Sequence, residues 1–511
     1  MTPSPAARTR RTAAAAILCT GALCAQAPPG FEAVEVLTPD GSGTHAADGV
    51  NRVALDAFGN AYVSCSISNN VFRVPAIGPV SRIIGPEGDG LGNTLNGATG
   101  IAVDPAGVAY VAGFVSDNVF RITPAGAITQ VADASGDGAG NALDIPIGLA
   151  LDDAGNVFVG CAGSDNAFRI SPSGTVTQIL GPDGDGAHAL DNARGVAVDG
   201  QGNAYVVGFL SNNVFRVTPG GQVAQILDGS GDGLGNVLER PMAVAVQSDG
   251  TAYVSGRDSD NLFRVGIGGE GEEILDLSGD GTHAFRGPDE HSIAVTENGI
   301  CFVSGAQSDN VFQVTHELTT QVLDASGDGV SGFEAGHGVA LDCDGRVFVA
   351  AAASDNVFRI QAETLAEPYG CGVNPGGSLT VLGGTLATGD AITLGLDNPL
   401  GTQGPGSLPF LALVKQPDPA YPCGTPLPGL GMGPGSATGE LLLGLAPPPF
   451  LTLGGPAWAG PLQPAPIPIA VPDDCLLIGV AVFAQGALLD PAPGATHPLA
   501  LTEGIELRIG P

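Results

Sequence analysis

The sequence predicts an all-β protein, a seven-bladed β-propeller followed by a C-terminal β-sandwich. Three observations lead to this fold class. The hexapeptide Ser-Asp-Asn-Val-Phe-Arg at residues 116–121 recurs in seven copies whose successive offsets are 48, 48, 47, 48, 49 and 46 residues. Each interval holds four short apolar stretches separated by turn residues. The 511 residues include 80 Gly and 40 Pro but only 14% charged residues, which favours short strands and tight turns over helical bundles.

The first repeat shows how each unit divides into strands. Apolar stretches at residues 53–56, 61–64, 71–74 and 80–84 are separated by turns, and the glycine-rich loop at 85–90 leads into the next unit. Four short strands in about 48 residues are typical of a propeller blade. The unit therefore predicts seven four-stranded blades arranged around one axis.

The motif itself has a predicted structural role. A repeat cannot bury its apolar faces alone, so the Phe of each copy should pack between adjacent blades. The neighbouring Arg points to the opposite face of its strand and should pair with a carboxylate or a carbonyl within or between blades. The seven phenylalanines are Phe72, Phe120, Phe168, Phe215, Phe263, Phe312 and Phe358.

The two ends of the repeat region indicate how the ring closes. The seventh unit lacks a good fourth strand after Phe358, whereas residues 33–37 form a strand-like stretch before the first unit. We expect this N-terminal strand to complete the seventh blade, because such a clasp leaves no open edge.

Alternating strand direction assigns the connections to two faces. The Ser-Asp-Asn loops and the Gly-Asp-Gly loops that join blades share one face, here called the top. The turns between the first and second strands and between the third and fourth strands share the bottom face. The top face is therefore acidic in every blade.

The ends of the chain differ from the repeats. Residues 1–27 resemble a secretory signal, in which Arg8, Arg10 and Arg11 precede an apolar core. Ala25-Gln26-Ala27 has the small-x-small pattern of a signal-peptide cleavage site. We therefore expect a secreted protein with a propeller at 28–367 and a β-sandwich module at 368–511. The repeats stop at the second boundary, and short strands between Gly/Pro turns follow.

Charge and cysteine content exclude several classes. The net charge of −34 would repel a phosphate backbone, so nucleic acid is not an expected partner. Gly, Pro and charged residues interrupt every later apolar run, so no membrane span is expected. Seven cysteines remain after residue 27, and no CxxC pair occurs, which argues against zinc-ribbon and redox sites. At most two of Cys371, Cys423 and Cys475 can pair with each other.

The repeat resembles a known family. Gly-Ile-Ala-Val-Asp at 100–104, Gly-Val-Ala-Tyr-Val at 107–111 and the motif at 116–121 look like NHL-type propeller repeats and the related streptogramin B lyase propellers. The resemblance covers about residues 32 to 360. It implies a propeller fold, whereas propellers host binding modules and enzymes alike.

Two of the Gly-Asp-Gly loops match the ligand spacing of calcium loops. Oxygen-bearing residues fall at positions 1, 3, 5, 9 and 12, with Gly at position 6. These loops are candidates for calcium or another divalent cation, and the alternative is that Asp and Gly build a tight turn between blades. The candidate ligands are Asp133, Ser135, Asp137, Asn141 and Asp144 in one loop and Asp228, Ser230, Asp232, Asn236 and Glu239 in the other.

A further candidate site is indicated by positions that break the repeat symmetry. The residues two before each innermost strand's Val-Ala-Val core differ between blades while the scaffold repeats, and we expect them to face the propeller axis. They are Asn51, Thr99, Ile147, Arg194, Met242, His291 and His337. Of these, Asn51, Arg194, His291 and His337 are the candidate ligand-binding residues; the alternative is drift at a solvent-filled channel mouth.

The sequence therefore favours a secreted binding or interaction protein, expected to be monomeric, whose partner is a small molecule, glycan or protein. The alternative is a lyase or lactonase that uses a divalent cation at the axis. Streptogramin B lyases, which this propeller resembles, use histidines and a glutamate with magnesium, and Glu290 is the nearby acid beside His291 and His337. No nucleophile elbow, His-Glu-x-x-His motif or P-loop occurs.

Overall fold

A computed structural model describes residues 31–509 apart from residues 290, 317, 343–344, 363–364, 388, 435–436, 445–450, 473–479, 494 and 496–497. The predicted signal at 1–27, Glu290 and Cys475 lie outside the described residues. None of the described residues forms a helix long and apolar enough to cross a membrane.

The strands are numbered in chain order. Those of the repeat region are β1 (Phe31–Leu37), β2 (Val50–Leu55), β3 (Ala61–Cys65), β4 (Asn70–Val74), β5 (Ser81–Ile84), β6 (Ala98–Val103), β7 (Ala109–Gly113), β8 (Asn118–Ile122), β9 (Ile128–Ala132), β10 (Pro146–Leu151), β11 (Val157–Cys161), β12 (Asn166–Ile170), β13 (Val176–Leu180), β14 (Ala193–Val198), β15 (Ala204–Gly208), β16 (Asn213–Val217), β17 (Val223–Leu227), β18 (Pro241–Val246), β19 (Ala252–Gly256), β20 (Asn261–Val265), β21 (Gly271–Leu275), β22 (Ile293–Val295), β23 (Cys301–Gly305), β24 (Asn310–Val314), β25 (Thr319–Leu323), β26 (Gly336–Leu341), β27 (Val347–Ala351) and β28 (Asn356–Ala362). Those of the C-terminal region are β29 (Leu365–Tyr369), β30 (Leu379–Gly384), β31 (Ala391–Leu396), β32 (Leu408–Val414), β33 (Thr425–Pro428), β34 (Thr438–Leu441), β35 (Leu451–Gly454), β36 (Ala465–Ala470), β37 (Ala481–Leu489) and β38 (Leu499–Arg508).

The repeat region folds as antiparallel four-stranded sheets. Among the described residues, β2 to β25 form six such sheets of four consecutive strands each, and β26, β27 and β28 form a seventh with β1. The first strands of successive sheets contact one another in order, and β26 contacts β2, so the sheets close into a ring. The predicted propeller fold is confirmed.

The N-terminal strand completes the last blade, as predicted. β1 pairs antiparallel with β28, with Ala33 opposite Ile360 and Glu35 opposite Phe358. Asn356 Nδ2 donates a hydrogen bond to Glu35 Oε1 at 3.1 Å, which adds a side-chain contact to the ladder. This pairing joins residues more than 300 positions apart and gives the seventh blade its fourth, outermost strand.

The motif phenylalanines pack between blades, as predicted. Phe120 of the second blade is fully buried and shares a core with Val71 and Ile84 of the first. A Cβ added at Gly231 would lie 2.9 Å from the Phe263 ring, so the glycine lets the Gly-Asp-Gly loop cover the next blade's aromatic ring.

Arginines of the motif find the partners that the sequence predicts. Arg216 Nη1 donates to the carbonyl oxygen of Ile267 in the next blade at 3.2 Å. Arg264 Nη1 lies 3.9 Å from Glu272 Oε2 within its own blade. These contacts give the repeated Arg a structural role on the blade surface.

The middle residue of each Ser-Asp-Asn loop links its blade to the next. These residues adopt a left-handed backbone with φ between 49° and 57°, a conformation that Asp and Asn tolerate better than most residues. Each side-chain Oδ1 accepts a hydrogen bond, 2.5 to 2.9 Å long, from a backbone N–H at the start of the next blade. The donor directly precedes the innermost strand except in blade six, where it is Gly287, six residues before β22. We call this the inter-blade bond; its acceptors are Asn69, Asp117, Asp165, Asn212, Asp260, Asp309 and Asp355.

The C-terminal region forms sheets with a core of its own. A five-stranded sheet of order β29-β38-β37-β32-β35 and a three-stranded sheet of order β30-β31-β36 contribute to one hydrophobic cluster, which includes Leu394, Leu411 and Leu507. β33 and β34 form a separate hairpin. A disulfide joins Cys371 and Cys423.

Candidate functional site

The seven symmetry-breaking positions surround the propeller axis. Each lies two residues before the point where the innermost strand begins regular pairing with the second strand. In blade one, for example, Asn51 lies two residues before Val53, which pairs with Val63. Because the innermost strands contact one another around the ring, these positions share one end of the central channel. The Asn51 Oδ1 atom is buried and has no hydrogen-bond partner among the described residues.

Arg52 crosses this channel, and the sequence reasoning missed it. Its side chain is fully buried, and Nη1 donates to the carbonyl oxygen of Ile147 in blade three and lies 3.3 Å from His291 Nε2 in blade six. A side chain from blade one thus reaches two distant blades. The sequence did contain a signal for Arg52, because it is the one large residue at this position of the repeat. The other six blades have small residues there, namely Gly100, Gly148, Gly195, Ala243, Ser292 and Gly338.

The surroundings of His291 favour its neutral form. The residue retains some exposure, yet its Nδ1 atom is buried without a partner among the described residues. Burial, and then the neighbouring charge of Arg52, lower the pKa of His291 well below its ordinary value. Its Nε2 can therefore act as an acceptor for the Arg52 guanidinium.

His337 belongs to a different contact chain. Its Nε2 lies 3.4 Å from Asp289 Oδ2, and the same oxygen lies 3.9 Å from Arg257 Nη1. The chain joins blades five, six and seven at the channel mouth. The two histidines that the sequence singled out thus contact different charged partners, Arg52 and Asp289.

Asp289 reaches this position because blade six carries an insertion. In blade five, Arg240 has a left-handed backbone and donates the inter-blade bond, and Val244, four positions later, is the first residue that pairs regularly with the second strand. In blade six the same interval, from Gly287 to Ile293, is six positions. The two extra residues bring Asp289 to the channel mouth. The uneven spacing was visible in the sequence.

Two further arginines flank one aromatic ring at the mouth. The guanidinium carbon of Arg194 lies 4.2 Å from the centroid of the Phe209 ring, and that of Arg240 lies 5.5 Å from it. Arg194 Nε also donates to Asn192 Oδ1 at 2.6 Å. Arg240 Nε lies 3.4 Å from Asp258 Oδ2, and both side chains of this pair are about half exposed.

Four of the chain's arginines lie at the axis or its mouth. The 18 Lys and Arg residues include three in residues 1–27, which leaves 15 in the rest of the chain. Four of these 15 lie at the axis or its mouth, whereas the described carboxylates in contact with them are Asp258 and Asp289. The four are Arg52, Arg194, Arg240 and Arg257. A chain of net charge −34 thus concentrates cations at its symmetry-breaking end.

The predicted calcium loops hold their carboxylates in local turns. Asp133 Oδ1 accepts hydrogen bonds from the backbone N–H and the hydroxyl of Ser135, and Asp228 repeats both bonds with Ser230. The side-chain amides of Asn141 and Asn236 donate to Asp137 and Asp232, and the hydrogen bond from Asn141 is the main cause that lowers the pKa of Asp137.

The residues at position 12 bond elsewhere. The backbone N–H groups of Asp144 and Glu239 bond to the hydroxyls of Ser164 and Ser259. In each loop, therefore, hydrogen bonds join the residue at position 1 to that at position 3, and the residue at position 5 to that at position 9. Calcium binding at these loops stays a prediction.

The described residues do not offer a divalent cation a good site at the axis. The one group of three His, Cys, Asp or Glu ligand atoms that they bring together is Cys371, Cys423 and Glu440, and its cysteines form the disulfide. At the axis, His291 Nε2 lies beside the Arg52 guanidinium, and Asp289 lies near that of Arg257. A cation at either donor would face a fixed positive charge.

Three grooves lie away from the axis. Cavities of about 620, 560 and 660 Å³ open on the bottom face between blades three and four, five and six, and one and two. Equivalent turn residues line all three, including Gly202, Gly299 and Gly107. Because they recur with the repeat, we attribute them to blade geometry and give more weight to the axis, where the blades differ.

Comparisons with known proteins agree with the fold. A family model described as a beta-propeller repeat matches residues 176–209. A streptogramin B lyase structure aligns with a TM-score of 0.51 and 12% identity over 65% of this chain and 98% of that one. A catalytically inactive variant of virginiamycin B lyase from Staphylococcus aureus with quinupristin aligns with the same TM-score and identity over 65% and 99%. No curated protein sequence matches the chain. The matched repeat and the closed ring of four-stranded sheets identify the repeat region as a β-propeller.

Proposed function

We propose that this protein is a secreted β-propeller binding protein whose ligand site is the axial mouth of the top face. The ligand carries an anionic or strongly polar group. The observation that carries this proposal is the concentration of Arg52, Arg194, Arg240 and Arg257 at the place where the blades stop being equivalent. A guanidinium fork matches a carboxylate or sulfate, whereas the acidic remainder of the surface would repel either.

The accessible part of this cluster suits a ligand that arrives from solvent. The Arg240 and Arg257 side chains are 54% and 36% exposed. Their carboxylate neighbours lie at 3.4 and 3.9 Å, distances at which exposed ion pairs contribute little stability. An incoming anion can therefore compete for these two guanidinium groups at low cost.

Secretion and ion binding complete the proposal. The signal-like residues 1–27 support export, and the disulfide between Cys371 and Cys423 suits an oxidising compartment. Calcium at the Asp133 and Asp228 loops would stabilise the top face without taking part in ligand binding.

An enzyme with a divalent cation at the axis is the second candidate. Lyase structures share the fold, but at 12% identity the likeness concerns the fold alone. His291 and Asp289 both lie near guanidinium groups, so a metal ion at either of them would be repelled by a neighbouring positive charge. We therefore derive no catalytic step.

The test is a thermal-shift panel of small carboxylates, sulfate esters and phosphate, with neutral polyols and ammonium compounds as matched probes. A ligand bound only by the native state raises the melting temperature. We expect anions to stabilise the wild type, and we expect an Arg240→Gln, Arg257→Gln variant to lose this response. Arg82→Gln, which removes a partly buried arginine that pairs with Glu87 away from the axis, is the control and should behave as the wild type. Equal responses in all three proteins would refute the proposed site.

A further inference from the structure

The residues that follow the second strand of each blade form the rim of the axial mouth. Two contacts place them there. Phe209, the first such residue in blade four, contacts the axial Arg194. Ile67, the second such residue in blade one, lies against Gly49, two positions before the axial Asn51, where an added Cβ would be 2.6 Å from its side chain.

The rim is apolar over blades one to four. Ile67, Val115 and Leu210 are 66%, 52% and 50% exposed. Blade three has small residues after its second strand, but Ile145 at the entry of its innermost strand is 37% exposed. The rings of Phe114 and Phe209 lie beneath this arc, and the axial Ile147 continues it inward. Apolar residues are thus exposed in an arc over four adjacent blades, with the exposed Asp48 beside Ile67 and the exposed Asp191 beside Leu210.

Blades five to seven bring charged residues to the mouth, although the residues after the second strand of blade seven are Ala352 and Ala353. Blade five contributes Arg257 and Asp258, blade six contributes Asp289 through its insertion, and His337 extends this side into blade seven. The mouth therefore has an apolar half and a charged half. The two halves meet at Phe209, whose ring contacts both Arg194 and Arg240.

Ile145 supports a role for the apolar half. It holds a left-handed backbone with φ of 54°, where the equivalent positions of blades one, two and six have Gly49, Gly97 and Gly287. A β-branched residue in this conformation is strained, because its side chain crowds the backbone. The backbone N–H of Ile145 donates the inter-blade bond to Asp117 at 2.9 Å, so the backbone conformation stabilises the fold. The exposed isoleucine side chain takes no part in that bond. Retained strain of this kind points to a surface that is used.

We propose that the ligand of the axial mouth is an anionic amphiphile, a small molecule with one carboxylate or sulfate joined to an apolar body. The anionic group lies between Arg240 and Arg257, and the apolar body covers the arc from Phe209 to Ile67. This inference rests on the proposed function and adds the chemical class of the ligand. A long apolar body gains affinity from surface removed from water, whereas a compact anion gains none.

The test is isothermal titration of the full chain with acetate, hexanoate and decanoate below their micelle-forming concentrations. Decyltrimethylammonium serves as the cationic probe of equal chain length. Each fully buried CH2 is worth about fourfold in affinity, so partial burial predicts that decanoate binds roughly tenfold or more tightly than hexanoate. Decyltrimethylammonium should bind at least roughly tenfold more weakly than decanoate.

Variants separate the two halves of the mouth. Ile67→Ser with Leu210→Ser should remove the gain of decanoate over hexanoate and leave acetate unaffected. Leu234→Ser with Val330→Ser is the matched control, since these residues are 88% and 93% exposed at the tips of Gly-Asp-Gly loops and should not matter.

The possible outcomes are distinct. Equal affinity for hexanoate and decanoate would overturn the amphiphile and leave the anion site standing. Binding of no carboxylate and no sulfate would overturn both proposals. Equal binding of the ammonium probe would refute the cationic half. Binding to phosphatidylglycerol vesicles without binding of monomeric decanoate would replace the small ligand with a membrane surface.

Discussion

The inter-blade bond at the ring closure gives a prediction that separates two contributions to stability. Asp355 of blade seven holds a left-handed backbone, and its Oδ1 accepts from Gly49 N–H of blade one at 2.7 Å. An Asp355→Ala variant loses this bond to a charged acceptor and places Ala in the same strained conformation. An Asp355→Gly variant loses the bond alone, and Asp355→Asn retains both the bond and the backbone preference.

The magnitudes follow from these differences. A hydrogen bond to a charged acceptor contributes about 1.5 to 3 kcal/mol, and partial exposure places this one near the lower end. The left-handed backbone costs Ala about 1 kcal/mol more than Asp. We therefore expect a loss of about 2.5 kcal/mol for Asp355→Ala, about 1.5 kcal/mol for Asp355→Gly and a small change for Asp355→Asn.

Thermal unfolding by calorimetry measures this series. Roughly 330 propeller residues at about 2.1 cal/mol/K each give an unfolding entropy of about 0.7 kcal/mol/K, so 2.5 kcal/mol corresponds to a shift of about 4 °C. Asn69 and Asn212 make the same bond in blades one and four, which is why the Asn variant is the control. If Asp355→Asn falls as far as Asp355→Ala, the reasoning is wrong.

Three further predictions follow from the same structure. Deletion of residues 28–40 removes β1 and should lower the melting temperature sharply, whereas an unchanged melt would contradict closure by this strand. If the Asp133 and Asp228 loops bind calcium, EDTA should lower the melting temperature and added calcium should restore it, and a melt indifferent to both would leave these loops as turns. His291 has a lowered folded pKa, so its contribution to stability is complete above its unfolded pKa of about 6.5 and decreases as the pH falls below that value. Calorimetry between pH 7 and 5 should show this loss in the wild type but not in His291→Gln, and identical slopes would refute the assignment.

The fold could be predicted from the sequence because the weak pattern of each short strand recurs in every repeat. One strand such as β4 is too short to identify alone, but seven copies of its motif at a steady interval define the unit. The missing strand after Phe358 was sufficient to predict the pairing of β1 with β28. The inter-blade bond was not predicted, because it depends on the left-handed backbone of residues such as Asp117. The sequence does not show whether an Asp adopts a left-handed or an extended backbone.

The candidate site was predicted in part for a related reason. Comparison of equivalent positions found His291 and His337, because variation within a repeat can be read directly from the sequence. Arg52 was missed because the comparison stopped one residue short of it, and its reach to Ile147 depends on the width of the ring. Asp289 was missed because the insertion disturbs the alignment of blade six, so no equivalent position existed for it.

A crystal structure of the full chain grown with the best-binding anion of the panel tests the location of the site most directly. Our account predicts electron density for the anion at the axial mouth, with its charged group within hydrogen-bond distance of Arg240 or Arg257 and its remainder over the Phe209 side of the rim. Density for the anion in the bottom-face cavities between blades, with the axial mouth unchanged, would contradict it.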